Sequence, residues 1–177
     1  MNDMQQLDEF ATFSDPMTLT IQRMLPGPIE RCWAYLTESE LRKKWLAAGE
    51  MHPEAGTEFE FIWRNEELSA APSVRPEGAS EENRMTCTIT TYEPPHKLGF
   101  TWGQSGGVEI VLEERGERVL LTLTHNNAPD RSTLLSVSAG WHQHLDTLAR
   151  VAAGQEAEPF WENFGAKRSE YEKRITA

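Results

Sequence analysis

Residues 84–125, RMTCTITTYEPPHKLGFTWGQSGGVEIVLEERGERVLLTLTH, decide the fold. Four runs within them carry an apolar residue at every second place: Met85, Cys87, Ile89; Leu98, Phe100, Trp102; Val108, Ile110, Leu112; and Val119, Leu121, Leu123, with His125 in the same phase. A period of two sends successive side chains to opposite faces of a strand, so each run has one face to bury. The breaks are Pro94-Pro95, Gly103 to Gly107 and Arg115-Gly116-Glu117, turn chemistry short enough to make hairpins. Strands are therefore predicted at 84–92, 97–102, 108–114 and 118–125, antiparallel to one another. The alternation alone does not say which face meets a cavity and which a dry core.

Upstream, TLTIQRML (18–25) alternates in the same way and is stopped by Pro26-Gly27-Pro28. Pro28 suits the first position of a helix, and Ile29, Cys32, Trp33 and Leu36 follow at helical spacing. Thr37 with Glu40 three residues on reads as a capping box for a second short helix, ESELRKKWL, with Leu41 and Trp45 on one face. From Thr57 the period returns to two, with Phe59, Phe61 and Trp63 on one side. Residues 64–83 are acidic, rich in Ala, Ser and Pro and without period, which predicts a long mobile loop.

Downstream, Leu134, Val137, Trp141, Leu145, Leu148 and Ala152 recur every three or four residues between Arg131 and Ala153, and Gly154 ends the run. This is a long amphipathic helix whose stripe must press on the sheet. The tail, PFWENFGAKRSEYEKRI, repeats the pattern with Phe160, Trp161, Phe164 and Tyr171 and predicts a last helix on the outside. The expected organisation is an N-terminal extension (1–17), one α+β domain (18–154) and a helical extension (155–177).

Composition narrows the function. The chain has 177 residues, 38% hydrophobic and 25% charged, enough for one domain with a sizeable core. Seventeen Lys and Arg against 28 Asp and Glu give net charge −11, with no basic cluster to neutralise phosphates, so nucleic acid is not an expected partner. No run of apolar residues is long enough to insert in a membrane, and the first residues lack the basic and apolar regions of a signal peptide, so cytoplasm is expected. Cys32 and Cys87, too few for a disulfide framework, read as buried thiols.

In order and spacing, LPGPIERCWAYLTESELRKKWL (25–46), GTEFEFIW (56–63), ITTYEPPHKLGFTW (89–102), LLTLTH (120–125) and SAGWHQHLDTLARVAAG (138–154) resemble the bacterial START-like (SRPBCC) superfamily, in the group named after the activator of the Hsp90 ATPase. The resemblance implies the helix-grip fold: a curved, six-stranded antiparallel sheet wrapped around the long C-terminal helix, here with an extra helix after it. It also implies an apolar cavity between sheet and helix, used across the superfamily for lipids, sterols and polyketides. A few relatives catalyse cyclisation or dehydration there. The chain lacks the additional N-terminal domain of the eukaryotic co-chaperones, so Hsp90 is not an expected partner.

Among polar candidates, His125, His142 and His144 stand out. At about 100° per residue, His144 lies near 300° and His142 near 100° when Trp141 is at zero, so the two helix histidines point apart and do not chelate. His125 keeps the inward phase of its strand, which leaves an approach to His144 open. Each histidine reads first as a satisfied polar group, and Asp146, four residues after His142, as its partner in a surface pair. No metal site, cofactor motif, nucleophile elbow or phosphate loop is present in the sequence. The aromatics carry the stronger signal. In the implied fold Trp45, Phe61, Trp63, Phe100, Trp102, Trp141 and Leu145 converge with His125 and His144, and this set is expected to contact a small hydrophobic molecule, with core filling as the competing role. Two alternatives are carried forward: a cyclase- or hydratase-type enzyme using His125 or His144 as base, and an interaction module with a partner or a second copy. Whether the protein is an enzyme, and whether it is a homodimer, the sequence leaves open.

Overall fold

A computed structural model describes residues 7–15, 17–103 and 106–175. Residues 1–6 and Pro16 of the N-terminal extension, 104–105 of the Gly103 to Gly107 turn and 176–177 of the C-terminal extension lie outside the described residues. The elements run β1 (Thr12–Asp15), β2 (Thr18–Pro26), α1 (Ile29–Thr37), α2 (Ser39–Arg42), β3 (Glu58–Trp63), a 3-10 turn (Asn65–Leu68), β4 (Asn83–Glu93), β5 (Lys97–Thr101), β6 (Gly107–Arg115), β7 (Arg118–Asn126), α3 (Arg131–Ala152) and α4 (Phe160–Arg174).

The strands form one antiparallel sheet of order β1-β2-β7-β6-β5-β4-β3. The hairpins β4–β5, β5–β6 and β6–β7 are those set by the turn residues, and β2 closes on β7 with Leu19 opposite His125 and Ile21 opposite Leu123. Most of the inward sets are as expected: Cys87, Ile89, Leu98, Phe100, Val108, Ile110, Leu112, Val119, Leu121, Leu123 and His125 are buried, while Met85 and Trp102, in the same phase, are half-buried. The helix-grip architecture holds, with seven strands where six were expected. The added strand is β1, which pairs on β2 with Phe13 opposite Leu19. Four residues of mixed pattern carry too little period to be legible alone.

Local capping departs from expectation at two places. Pro28 is the residue before the first turn of α1, in extended conformation, rather than its first helical residue. Thr37 makes no capping box: its hydroxyl bonds back to the Trp33 carbonyl at 2.9 Å, and Glu38 precedes α2 without a side-chain cap. The second helix is one turn, Ser39–Arg42, instead of the whole of ESELRKKWL. The reason lies in Arg42, which is buried and donates to the carbonyls of Leu36, Thr37, Ala47 and Gly49. Curling the chain around one guanidinium satisfies its donors at the cost of helix continuation. Gly49 is held at φ +131°, where a side chain would run into the Glu60 carbonyl, and this lets the segment bridge onto β3 through Ala48 and Ile62.

Helix α3 starts at Asp130, whose carboxylate accepts from the Thr133 amide at 2.7 Å. It packs against β2 on one side and carries α4 on another. The last helix is not simply external: Phe160 and Tyr171 are buried, and the Tyr171 hydroxyl accepts from the Ala11 amide at 2.8 Å. Segment 64–83 is pinned at several points. Arg64 pairs with Glu67 and Glu82, and Glu162 of α4 accepts from the Val74 amide at 2.7 Å and from the Ser73 hydroxyl at 3.0 Å. Among the described residues no helix is long and apolar enough to cross a membrane.

Candidate functional site

The aromatic residues of the sheet form a continuous chain of ring contacts. Phe59, Phe61 and Phe100 meet edge to face, Phe61 leads to Trp63 at 5.1 Å, and Trp63 to Trp102 at 5.7 Å. Trp102 then reaches Trp141 of α3 at 5.3 Å and His125 at 5.2 Å. Alternation puts Phe61 and Trp63 on one face of β3, and the same rule brings Phe100 and Trp102 beneath them.

Where α3 stands away from β3 and β4, a cavity of about 430 Å³ opens. Its floor is Trp63, Met85 and Trp102, and one wall is the α3 face carrying Val137, Gly140, Trp141 and His144. The opposite wall is α4, which supplies Phe160, Trp161 and Phe164. Leu46, Asn65, Asn83, Arg84 and Ser136 complete the rim. A volume of this size suits a molecule of two or three fused rings, and aromatic walls with few polar groups are the usual lining of small-molecule sites.

Of the expected contact set, Trp63, Trp102, Trp141 and His144 line the cavity. Trp45, Phe61, Phe100, His125 and Leu145 do not: each is 1% exposed or less, the four apolar ones within the hydrophobic core and His125 buried beside Trp102 and Trp141. Their roles are supportive. The Trp45 indole donates to the Tyr35 carbonyl at 2.8 Å, while its own carbonyl accepts from Nδ1 of His144 at 2.8 Å. His125 accepts the Trp141 indole proton at 3.0 Å, which orients that wall residue. The approach of His125 to His144 left open by the sequence is not made; each ring is engaged elsewhere.

The α4 residues and Asn65 were not foreseen. Phe160, Trp161 and Phe164 were visible as an aromatic cluster, but their direction depends on where α4 docks. Asn65 sits in the aperiodic 64–83 segment, where pattern reading has no purchase. Two polar atoms of this lining are buried without a protein partner among the described residues: Oδ1 of Asn65 and Nε1 of Trp161.

The histidines share an electrostatic setting. Burial pushes His125, His142 and His144 down to about 4, so all three are neutral near pH 7. Because Nδ1 of His144 donates to a carbonyl, its Nε2 is the bare nitrogen. His142 lies away from the cavity, against Phe10 and Tyr171, with Nδ1 2.9 Å from the Tyr171 hydroxyl. Asp146 is no simple surface partner to it. Besides His142 at 3.5 Å, it binds Arg23 at 3.0 Å and Lys167 at 3.0 Å, joining β2, α3 and α4. Cys32 and Cys87 are buried, and desolvation pushes Cys87 up to about 12, so neither resembles an activated thiol. Among the described residues no three His, Cys, Asp or Glu side chains gather at metal-binding distance.

Residues 26–153, from the end of β2 through α3, match the family described as activator of Hsp90 ATPase homolog 1-like protein. The chain belongs to this family. A protein of Bordetella parapertussis solved by solution NMR is 35% identical and covers 97% of this chain and 93% of its own, with a TM-score of 0.80. A conserved protein of unknown function from Enterococcus faecalis is 18% identical over 94% of this chain and 91% of its own (TM-score 0.70). CalU16 of Micromonospora echinospora is 20% identical over 89% and 87% (TM-score 0.62). The latter two establish likeness of fold alone. No curated protein matches the sequence. The family segment contains the floor and the α3 wall of the cavity and stops before the α4 wall. The Bordetella relative is similar over a length that takes in α4 as well.

Proposed function

We propose that this protein holds a small hydrophobic molecule, of lipid, sterol or polyketide-like character, between the sheet and α3. The observation that carries the reading is the cavity of about 430 Å³ walled by Trp63, Trp102, Trp141 and Trp161. Four indoles around one open space go beyond what core filling needs, since side chains that only fill a core pack against one another and leave no gap between them. Membership of a family with a shared apolar cavity supports the same reading.

Nothing favours catalysis by the histidines. A general base works best with a pKa near the working pH, and His125 and His144 are held near 4. His125 lies behind Trp102 and Trp141, out of reach of a molecule in the cavity.

Titration with N-phenyl-1-naphthylamine, a neutral fluorophore, tests the proposal. Binding is expected to raise its fluorescence, quench the protein's tryptophans and be displaced by an organic extract of cells. The absence of all three responses in well-folded protein would sink the ligand-binding reading.

A further inference from the structure

Two of the four indoles that wall the cavity turn only ring carbon to it. The N–H of Trp141 is engaged by Nδ1 of His125 at 3.0 Å, and that of Trp161 is buried out of the cavity's reach. Neighbouring rings of the wall meet at steep angles, 66° between Trp63 and Trp102, 53° between Trp102 and Trp141 and 83° between Phe160 and Trp161, with centroids 5.7, 5.3 and 5.0 Å apart. Rings inclined in this way form the corners of a box. The face of an aromatic ring is electron-rich, and Trp attracts a cation within about 6 Å of its centroid more strongly than Tyr or Phe does.

The charge around the mouth has the complementary sign. Arg84, the charged side chain at the rim, is held by Glu60 at 2.9 Å and Glu82 at 2.8 Å, and Arg64 beside it pairs with Glu82, Glu67 and Glu81. Two guanidiniums thus stand among four carboxylates. Glu162, next to Trp161 on α4, is held by the Val74 amide and the Ser73 hydroxyl rather than by a cation. His144, the titratable side chain within, is neutral at pH 7. The whole chain carries −11, so a cation is drawn toward this space and an anion repelled from it.

We infer that the hydrophobic molecule held here is an organic cation, whose alkylated ammonium group lies among the rings of Trp63, Trp102, Trp141 and Trp161. The inference rests on the ligand-binding reading above and specifies the ligand's charge. Alkylation follows from the lining: a primary ammonium would bring three N–H donors against walls made mostly of ring carbon, whereas a quaternary one has none to leave unpaired. A fatty acid or other anion would enter the same space with its charge unpaired, since the rim guanidinium is already held.

Displacement of N-phenyl-1-naphthylamine from the full chain by three probes of like shape tests this: phenyltrimethylammonium, tert-butylbenzene, which has carbon in place of the charged nitrogen, and benzenesulfonate. The ammonium should bind about tenfold tighter than the hydrocarbon, although it alone of the two gives up the hydration of a charge, and the sulfonate should bind weakest. Trp161→Leu keeps an apolar side chain and removes a ring, and should lower the ratio of ammonium to hydrocarbon affinity about threefold. Arg84→Gln, at a half-exposed position, withdraws the positive charge from the rim and releases Glu60 and Glu82. It should raise that ratio about threefold at low salt, and the gain should shrink as salt is added. Equal or weaker binding of the ammonium, sulfonate bound more tightly than the hydrocarbon, or a ratio that either folded variant leaves unmoved would overturn the inference. Hydrocarbon bound without preference for the ammonium defeats the charge assignment alone. No binding of the dye or of any probe defeats the ligand-binding reading as well.

Discussion

The indole N–H of Trp141 donates to Nδ1 of His125 across 3.0 Å, joining the long helix to the last strand beneath the cavity. Both residues are at most 2% exposed. The bond fixes the tautomer of His125, with its proton on Nε2, and turns the most promising catalytic candidate into a support for a wall residue.

Trp141→Phe keeps one aromatic ring, trims the indole and strands Nδ1 of His125 away from water. Urea unfolding should show a loss of at least about 1–3 kcal/mol, the cost of an unpaired buried acceptor, with the lost packing added to it. A change below measurement error would mean that the bond contributes nothing.

Stability should fall as the solution is acidified through the window from about 6.5 to about 4. His125, His142 and His144 ordinarily titrate near 6.5, and burial lowers each to about 4 in the folded state. Around His142, Asp146 favours the charged form while Arg23, Lys167 and Arg174 oppose it. Between the two pKa values the unfolded chain binds protons that the folded chain refuses, so stability rises with pH there and levels off above it. Each histidine contributes a slope of roughly 1 kcal/mol per pH unit. Melting temperatures from pH 4 to 8 check the sign, and a flat profile below pH 6.5 contradicts it.

Gly140 lies in the middle of α3 on the cavity wall, and a methyl group there would meet only the Phe164 ring, at 4.0 Å. Gly140→Ala should therefore stabilise the protein by about 0.5–1 kcal/mol through helix propensity. Gly140→Leu fills the space instead. It should weaken N-phenyl-1-naphthylamine binding while the protein remains folded by circular dichroism. Unchanged affinity for the dye would place the bound molecule elsewhere.

Tyr171 ties both ends of the chain to α3. Its hydroxyl accepts from the Ala11 amide at 2.8 Å and lies 2.9 Å from Nδ1 of His142, with the phenol pushed up to about 12 by burial. Tyr171→Phe leaves a buried amide and a buried imidazole nitrogen without this partner, and should cost on the order of 2 kcal/mol in chemical denaturation. Hydrogen exchange should show the Ala11 amide losing protection first.

Glu162 links α4 to segment 64–83 through Ser73 and Val74. Glu162→Ala should speed amide exchange at Val74 and leave β6 and β7 unaffected, because the bond is local and the sheet's ladder is not. Identical exchange at Val74 in both proteins would show that the carboxylate does not hold the segment.

How much of this was legible in the sequence depends on the range of the interaction. The hairpins of 84–125 were readable because turn residues and period two act between neighbours along the chain. The Thr37 capping box does not form because Thr37 is the last residue of α1 and its hydroxyl donates back to the Trp33 carbonyl, which spacing to Glu40 alone does not reveal. Of the expected contact set, Trp63, Trp102, Trp141 and His144 line the cavity, each lying on or beside a periodic element that fixes its phase. Phe61 and Phe100 have the same phase as their neighbours, and periodicity does not say how far along a strand the helix lifts away. Asn65 had no period to reveal it, and Trp161, though within the pattern of the last helix, could not be aimed at the site until the docking of α4 was known.

By itself the sequence determined the alternation of the strands, the turns between them and the amphipathic stripe of α3, and hence a sheet that must wrap a helix. Tertiary structure alone decided where that helix parts from β3 and β4, and that α4 returns to wall the gap. The physical reason is that burial patterns specify which face turns inward, whereas a cavity is the space left when whole elements dock, and docking depends on contacts between residues remote in the chain.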